Sequence, residues 1–274
     1  MAAPQTESPI EGYIPAIALG VAAVGLLLIT AAGRGAPEPA PALVATAPAP
    51  VVAPTPDADA RTKALALEAI LENPEIVMQA IEILRAREAE AEAAAAANAL
   101  AVEAETLFAG ADAPVIGNPE GDVTLVEFFD YNCGYCRRVA PAVAELIETD
   151  PNLRVVMREF PILSEESGEA ARLALAAHEL GADYAALHDA MMTISGTADG
   201  LSALDAAEAV GLDPDALEAA AESPTIQAHI AESNRLAQAL GIRGTPAFVI
   251  GDTIIPGAVG VEDLRAAVAT ARAG

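Results

Sequence analysis

The pattern of apolar and polar positions changes character four times along the chain. From Ile14 to Ala32, IPAIALGVAAVGLLLITAA is uncharged over 19 residues, close to the roughly 20 that a helix needs to cross a bilayer. A proline-rich stretch follows, GAPEPAPALVATAPAPVVAPTPDADA, which lacks backbone donors at each proline and favours extended polyproline II. At about 3.1 Å per residue, positions 37–56 would span on the order of 60 Å. Residues 61–108 then become rich in Ala, Glu and Leu and break at Asn73-Pro74, where Asn suits a helix cap and Pro a first turn. Two helices are predicted. Val77, Ile81 and Leu84 recur at helical spacing in the second, which dissolves into REAEAEAAAAANAL, a segment of high helix propensity with little apolar face. Such a helix needs a partner, either the following domain or copies of itself.

From residue 111 the pattern is that of one α/β domain. VTLVEFF reads as a buried strand, CGYCRRVAPAVAELIETD as a helix and LRVVMREF as a second strand, together a βαβ unit with a parallel pair. Residues 165–241 are helical throughout, with turn signals at Gly181, Gly196, Gly200, Gly211 and Pro214, and Ser223-Pro224 opens a last long helix. Strand patterning returns in PAFVIGDTIIPG, where Gly251-Asp252 divides a hairpin, and a helix over 261–273 ends the chain. The expected organisation is a transmembrane anchor or signal at 1–33, a Pro/Ala-rich linker at 34–60, a helical extension at 61–110, and a domain at 111–274 with a helical insertion at about 165–241.

Charge narrows the functions. Forty acidic residues against 14 basic ones, of which only Lys63 is a lysine, give a net charge of −26, so tracking a nucleic-acid backbone is electrostatically disfavoured. For the N-terminal run a cleaved signal peptide competes with an uncleaved anchor. Its leader carries Glu7 and Glu11 without Lys or Arg, whereas a signal peptide calls for a basic leader and a shorter core.

The chain has two cysteines, Cys133 and Cys136. A bond across two intervening residues closes too short a loop to stabilise much, and His178, His188 and His229 lack the paired spacing that would complete a zinc site. Neither metal nor cofactor is expected. Cys133 falls at the start of the predicted helix, where unpaired N–H groups and the positive end of the dipole favour a thiolate. It is therefore read as the exposed nucleophile, with Cys136 one turn inside as the resolving thiol. Arg137 and Arg138 are read as solvated surface residues. Glu127 is an acid in an otherwise apolar strand, which is costly unless it is hydrated or has a use.

The blocks FFDYNCGYCRR, REFPIL, GIRGTPAFVIG and IPGA, in an order βαβ, helical insertion, ββα, resemble the thioredoxin fold in its DsbA form across residues 112–274. Within that family the chain is similar to the N-terminally extended ScsC and Com1-like members, and LEAILENPEIVMQAIEIL resembles the region through which some of them trimerise. The resemblance implies a protein-disulfide oxidoreductase with Cys133 and Cys136 as its redox pair. It also implies a cis Thr245-Pro246 bond against the cysteines, with Thr245 offering backbone hydrogen bonds to an extended substrate. Glu127 becomes either a buried acid that moves the proton of Cys136 or a surface residue. The implied partners are unfolded or misoxidised exported proteins and a membrane redox partner that resets the dithiol. The implied place is the periplasmic side of the inner membrane, anchored by the N-terminal helix or released after cleavage. One departure matters: Gly134-Tyr135 stands where the best-known oxidases of the family carry Pro-His, so their strongly oxidising potential does not carry over. Oxidase, oligomeric isomerase or reductase, and chaperone-like holder are the three activities such a chain could serve.

Overall fold

The computed structural model describes residues 56–110 and 113–274. The expected membrane span at 14–32 and most of the proline-rich segment lie outside the described residues, and no helix among the described residues is long and apolar enough to cross a membrane.

Helix α1 (Pro56–Glu72) starts within the expected linker. Pro56 at its start fits the first turn, and Asp57 and Asp59 complement the N-terminal dipole, so the helical extension reaches back beyond residue 61. Helix α2 (Glu75–Ala109) runs for 35 residues and ends at Gly110, whose φ of 52° is a left-handed cap. Asn73 does not cap the second helix as expected. Its backbone and side-chain N–H groups both donate to the Ala69 carbonyl, closing α1, while α2 starts from Pro74 without a side-chain cap.

Strand β1 (Val115–Gly117) is followed by β2 (Val123–Phe129), α3 (Gly134–Thr149) and β3 (Leu153–Glu159). Five helices follow: α4 (Glu165–Glu179), α5 (Tyr184–Met192), α6 (Gly200–Ala209), α7 (Pro214–Ala221) and α8 (Pro224–Ala239). The hairpin β4 (Ala247–Ile250) and β5 (Thr253–Pro256) and helix α9 (Val261–Ala273) complete the chain. The sheet order is β1-β3-β2-β4-β5. Strands β2 and β3 are parallel, in register Glu127 to Met157 and Phe129 to Glu159, and the other pairs are antiparallel. The edge strand β1 has no counterpart in the sequence reading, and Gly200, read as a turn signal, is the first residue of α6 behind the Asp199 cap.

Each strand alternates between two cores. Leu125, Phe129, Leu153, Val155, Met157 and Phe248 point to the side holding α3, α5 and the insertion. Val126, Phe128, Val156 and Val249 point to the opposite side, where Leu100 and Leu107 of α2 pack beside Leu236 and Leu240. The C-terminal half of α2 is thus part of the domain. Arg154 and Arg158 on β3 reinforce it by donating to the Thr106, Phe108 and Ala109 carbonyls at the end of α2, where cations oppose the negative end of the dipole. Towards their other end the two helices expose Leu65, Leu67, Leu71, Met78, Ile83 and Leu84.

Candidate active site

The strand β2 delivers the chain to its C-terminal edge, and a short turn converts it into α3. Asp130 builds that turn. Its backbone carbonyl accepts from Cys133 N–H at 3.0 Å, and its Oδ1 accepts from Asn132 N–H at 2.8 Å. Its Oδ2 takes the N–H groups of Ile162 and Leu163 at 2.9 and 3.1 Å. One buried carboxyl group therefore fixes both the cysteine turn and the loop leaving β3.

Cys133 is the N-cap of α3, extended at φ −81° and ψ 110°, and its sulfur accepts from the Cys136 N–H at 3.4 Å. The Cys133 thiol donates to the Thr245 carbonyl at 3.2 Å, across the cis Thr245-Pro246 bond. Both cysteines are free thiols. Cys133 is not the openly exposed residue that was expected: the loop carrying Pro246 lies over it and leaves 6% of it accessible. It is still the outer of the two, since Cys136 is fully enclosed and its thiol is pushed well up by burial. The Thr245 hydroxyl oxygen is buried without a hydrogen-bond partner among the described residues.

Glu127 is buried, on the β2 face that meets α3 and α5, and burial pushes its carboxyl up to about 8. It borders a cavity of about 230 Å³ that it shares with His188, Asp189 and Glu148, and no described hydrogen bond joins it to either cysteine. The surface alternative for Glu127 is thereby corrected: the pleat that buries Leu125 and Phe129 buries it too.

Arg137 is not a solvated surface residue either. Its Nε donates to the Tyr131 carbonyl at 2.7 Å and its Nη1 to the carbonyls of Ile194 and Gly196 at 2.8 and 2.9 Å, so it ties the loop after α5 to the cysteine turn. Asn132 completes that seam through the Ala198 backbone, donating to its carbonyl and accepting from its N–H. Arg138 does stay outside, its guanidinium 4.2 Å above the ring of Tyr135, which is 60% exposed.

A third buried acid, after Asp130 and Glu127, was not anticipated. Glu159, at the end of β3, accepts from the Tyr131 and Tyr184 hydroxyls at 3.2 and 3.0 Å through one oxygen, and its other oxygen has no described partner. Burial raises its carboxyl well above the usual range. His188 lies 3.2 Å from the Tyr131 hydroxyl, stacks on Tyr184 and is held down to about 4 by burial, hence neutral. Tyr131 and Phe129 pack in this cluster, and so provide no surface to a substrate.

The described residues contain no group of side chains arranged for a metal ion. The family model for the DSBA-like thioredoxin domain matches residues 124–269. A thioredoxin-like oxidoreductase from Silicibacter pomeroyi is 52% identical, covers 62% of this chain and 98% of its own, and superposes with a TM-score of 0.60. Proteus mirabilis ScsC in a transitional conformation is 31% identical over 80% of this chain and 99% of its own, with a TM-score of 0.60. The thiol:disulfide interchange protein DsbA of Bordetella parapertussis is 27% identical over 168 residues, 55% of this chain and 79% of that protein. The chain also matches the Na(+)/H(+) antiporter NhaA 1 of Salinispora arenicola at 33% identity over 162 residues, 58% of this chain, but spans only 25% of that protein's length. With a dithiol on a strand-to-helix turn, a cis-proline loop closing over it and this match along most of the domain, the chain belongs to the DsbA-like thioredoxin family, and residues 124–269 form a protein-disulfide oxidoreductase domain.

Proposed function

We propose that the chain forms or rearranges disulfides in exported proteins through Cys133 and Cys136. The observation that carries this is the placement of the Cys133 sulfur within 3.2 Å of the Thr245 carbonyl and 3.4 Å of the Cys136 N–H. It supports an N-terminal nucleophile beside a backbone that can pair with an extended substrate. In the oxidising direction a substrate thiolate attacks Cys133 of the Cys133–Cys136 disulfide and Cys136 leaves as a thiolate. A second substrate thiolate then displaces Cys133, and two electrons have passed from substrate to enzyme. The leaving Cys136 sulfur needs a proton, because burial makes its thiolate costly. Glu127, mostly protonated at pH 7 with its carboxyl pushed up to about 8, is the buried acid that supplies it and takes it back when the dithiol is reoxidised by a membrane redox partner.

The periplasm is the compartment that suits this chemistry, since disulfides persist there. An N-terminal anchor at 1–33, followed by a linker, would hold the domain at 111–274 clear of the inner membrane; cleavage would release it. The exposed apolar residues of α1 and the first turns of α2 favour a second reading, in which several copies assemble and act together as an isomerase or reductase.

The test is refolding of a reduced, unfolded secretory protein by the oxidised enzyme, and of a scrambled one by the reduced enzyme. Activity in either assay that Cys133→Ser abolishes supports the reading. A chaperone-like holder would keep its effect on aggregation in Cys133→Ser and show no thiol exchange in the wild type.

A further inference from the structure

The alanine run of α2 has a use that its helix propensity does not explain. Ala89, Glu92, Ala93 and Ala96 lie on one helix face at i, i+3, i+4 and i+7 spacing, and the heptad steps from Ala93 lead to Leu100 and Leu107. Those two leucines are buried against the sheet. Where the same face carries alanine instead of leucine, a groove of about 670 Å³ opens between α2 and the segment 238–247. Its opposite wall includes Arg243, Thr245 and Pro246. One end of the groove is therefore a single residue from the Cys133 sulfur, which bonds the Thr245 carbonyl.

We propose that the alanine face of α2 is the second wall of a channel for the extended polypeptide whose cysteine Cys133 engages. This rests on the redox reading of Cys133 and extends it to the substrate's neighbouring residues. The dimensions fit. The seven helical steps from Ala89 to Ala96 span about 10 Å at 1.5 Å each, the length of about three residues of extended chain at 3.3 Å each. The volume falls inside the 300–1,000 Å³ typical of ligand sites. The chemistry fits as well: apart from Gln238, Thr245 and one charged pair, alanine, leucine, isoleucine, glycine and proline line the groove, so the bound segment is mainly apolar with small to medium side chains. The two charges at the groove, Glu92 and Arg243, pair with each other at 3.2 Å with both side chains largely exposed. A pair of that kind contributes little stability and yields to a peptide. The groove shares Thr245 and Pro246 with the site where a substrate strand would pair, which is why a substrate polypeptide, rather than a second copy of the chain, is its occupant.

The experiment compares wild type with Ala93→Phe, which fills the groove from an exposed position of α2, and with Ala91→Phe, on the opposite face of the same helix. Each is assayed against a disulfide-bearing unfolded polypeptide and against glutathione disulfide. The expected result is that Ala93→Phe loses tenfold or more in kcat/KM for the polypeptide, stays within twofold of wild type for glutathione disulfide, and that Ala91→Phe matches wild type in both. The proposal is overturned if Ala93→Phe keeps its rate with the polypeptide, if Ala91→Phe loses as much, or if the loss extends equally to glutathione disulfide, which would make α2 a scaffold rather than a wall. It is also overturned if Ala93→Phe changes the mass in solution, which would seat a second copy in the groove. Failure of the underlying redox reading looks different: the wild type itself would react with neither disulfide through Cys133.

Discussion

Replacing Glu127 by Gln removes one ionisation and little else, because the amide has the shape of the protonated acid. Burial raises the Glu127 carboxyl from about 4.5 to about 8. Between those values the native protein holds a proton that the unfolded chain releases, so the native state loses stability as pH rises through this window. The contribution is absent below about pH 4.5 and the full cost is reached above about pH 8. At about 1.4 kcal/mol per pH unit, the ceiling is about 5 kcal/mol. The cavity beside the carboxyl admits water that lowers the cost of the charge, so about 2–5 kcal/mol is the expected range. Glu159 pulls in the same direction but is present in both proteins and cancels in the comparison. Urea unfolding of the reduced proteins at pH 5 and pH 8.5 measures the difference. The stability of Glu127→Gln relative to wild type should rise by at least about 2 kcal/mol between the two pH values. A relative stability that stays constant within about 0.5 kcal/mol would refute the reasoning, because Glu127 would then ionise as freely in the folded protein as in the unfolded chain.

Three further outcomes follow from the same geometry. The release of Cys136 in the oxidising direction should slow as pH passes above about 8, where Glu127 loses the proton it donates, and Glu127→Gln should flatten that limb of the stopped-flow profile while lowering the rate throughout. Arg137→Ala removes charged donors from the Tyr131, Ile194 and Gly196 carbonyls; a loss of about 2–4 kcal/mol is expected by chemical denaturation, together with faster hydrogen exchange across the 194–198 loop. Leu67→Glu with Leu71→Glu places charge on the exposed apolar face of α1, and light scattering should report a lower mass than wild type if that face joins copies of the chain, and an unchanged mass if it does not.

The strands were legible because their side chains are largely apolar in runs of the right length: β2, β3 and the β4–β5 hairpin fall within VTLVEFF, LRVVMREF and PAFVIGDTIIPG. The helix carrying the cysteines was legible from its position behind a strand, and the Thr245-Pro246 loop only through the family resemblance. Three residues of β1 were too few to show a period. Asn73 was assigned to the wrong helix because an Asn-Pro pair suits either the end of one or the start of the next, and the Ala69 carbonyl won. Arg137, Asp130 and Glu159 were misjudged or missed for a common reason. Each is a polar residue whose longest-range bonds, 28 to 59 positions apart, form only once β3, the loop after it or the insertion has folded against the cysteine turn. The alanine run of α2 advertised helix but not the groove, since a groove depends on what side chains stand opposite.

The central claim is that Cys133 makes the covalent bond to the substrate and Cys136 resolves it. Its most direct test uses Cys136→Ser, which keeps the nucleophile and removes the resolving thiol. Incubated with a disulfide-bearing unfolded polypeptide and digested without reductant, it should yield a mixed disulfide at Cys133 by peptide mass spectrometry, with Cys133→Ser giving no adduct under the same conditions. An adduct on Cys136 in Cys133→Ser at a rate similar to that of Cys133 in Cys136→Ser, or no adduct in either, would contradict the account.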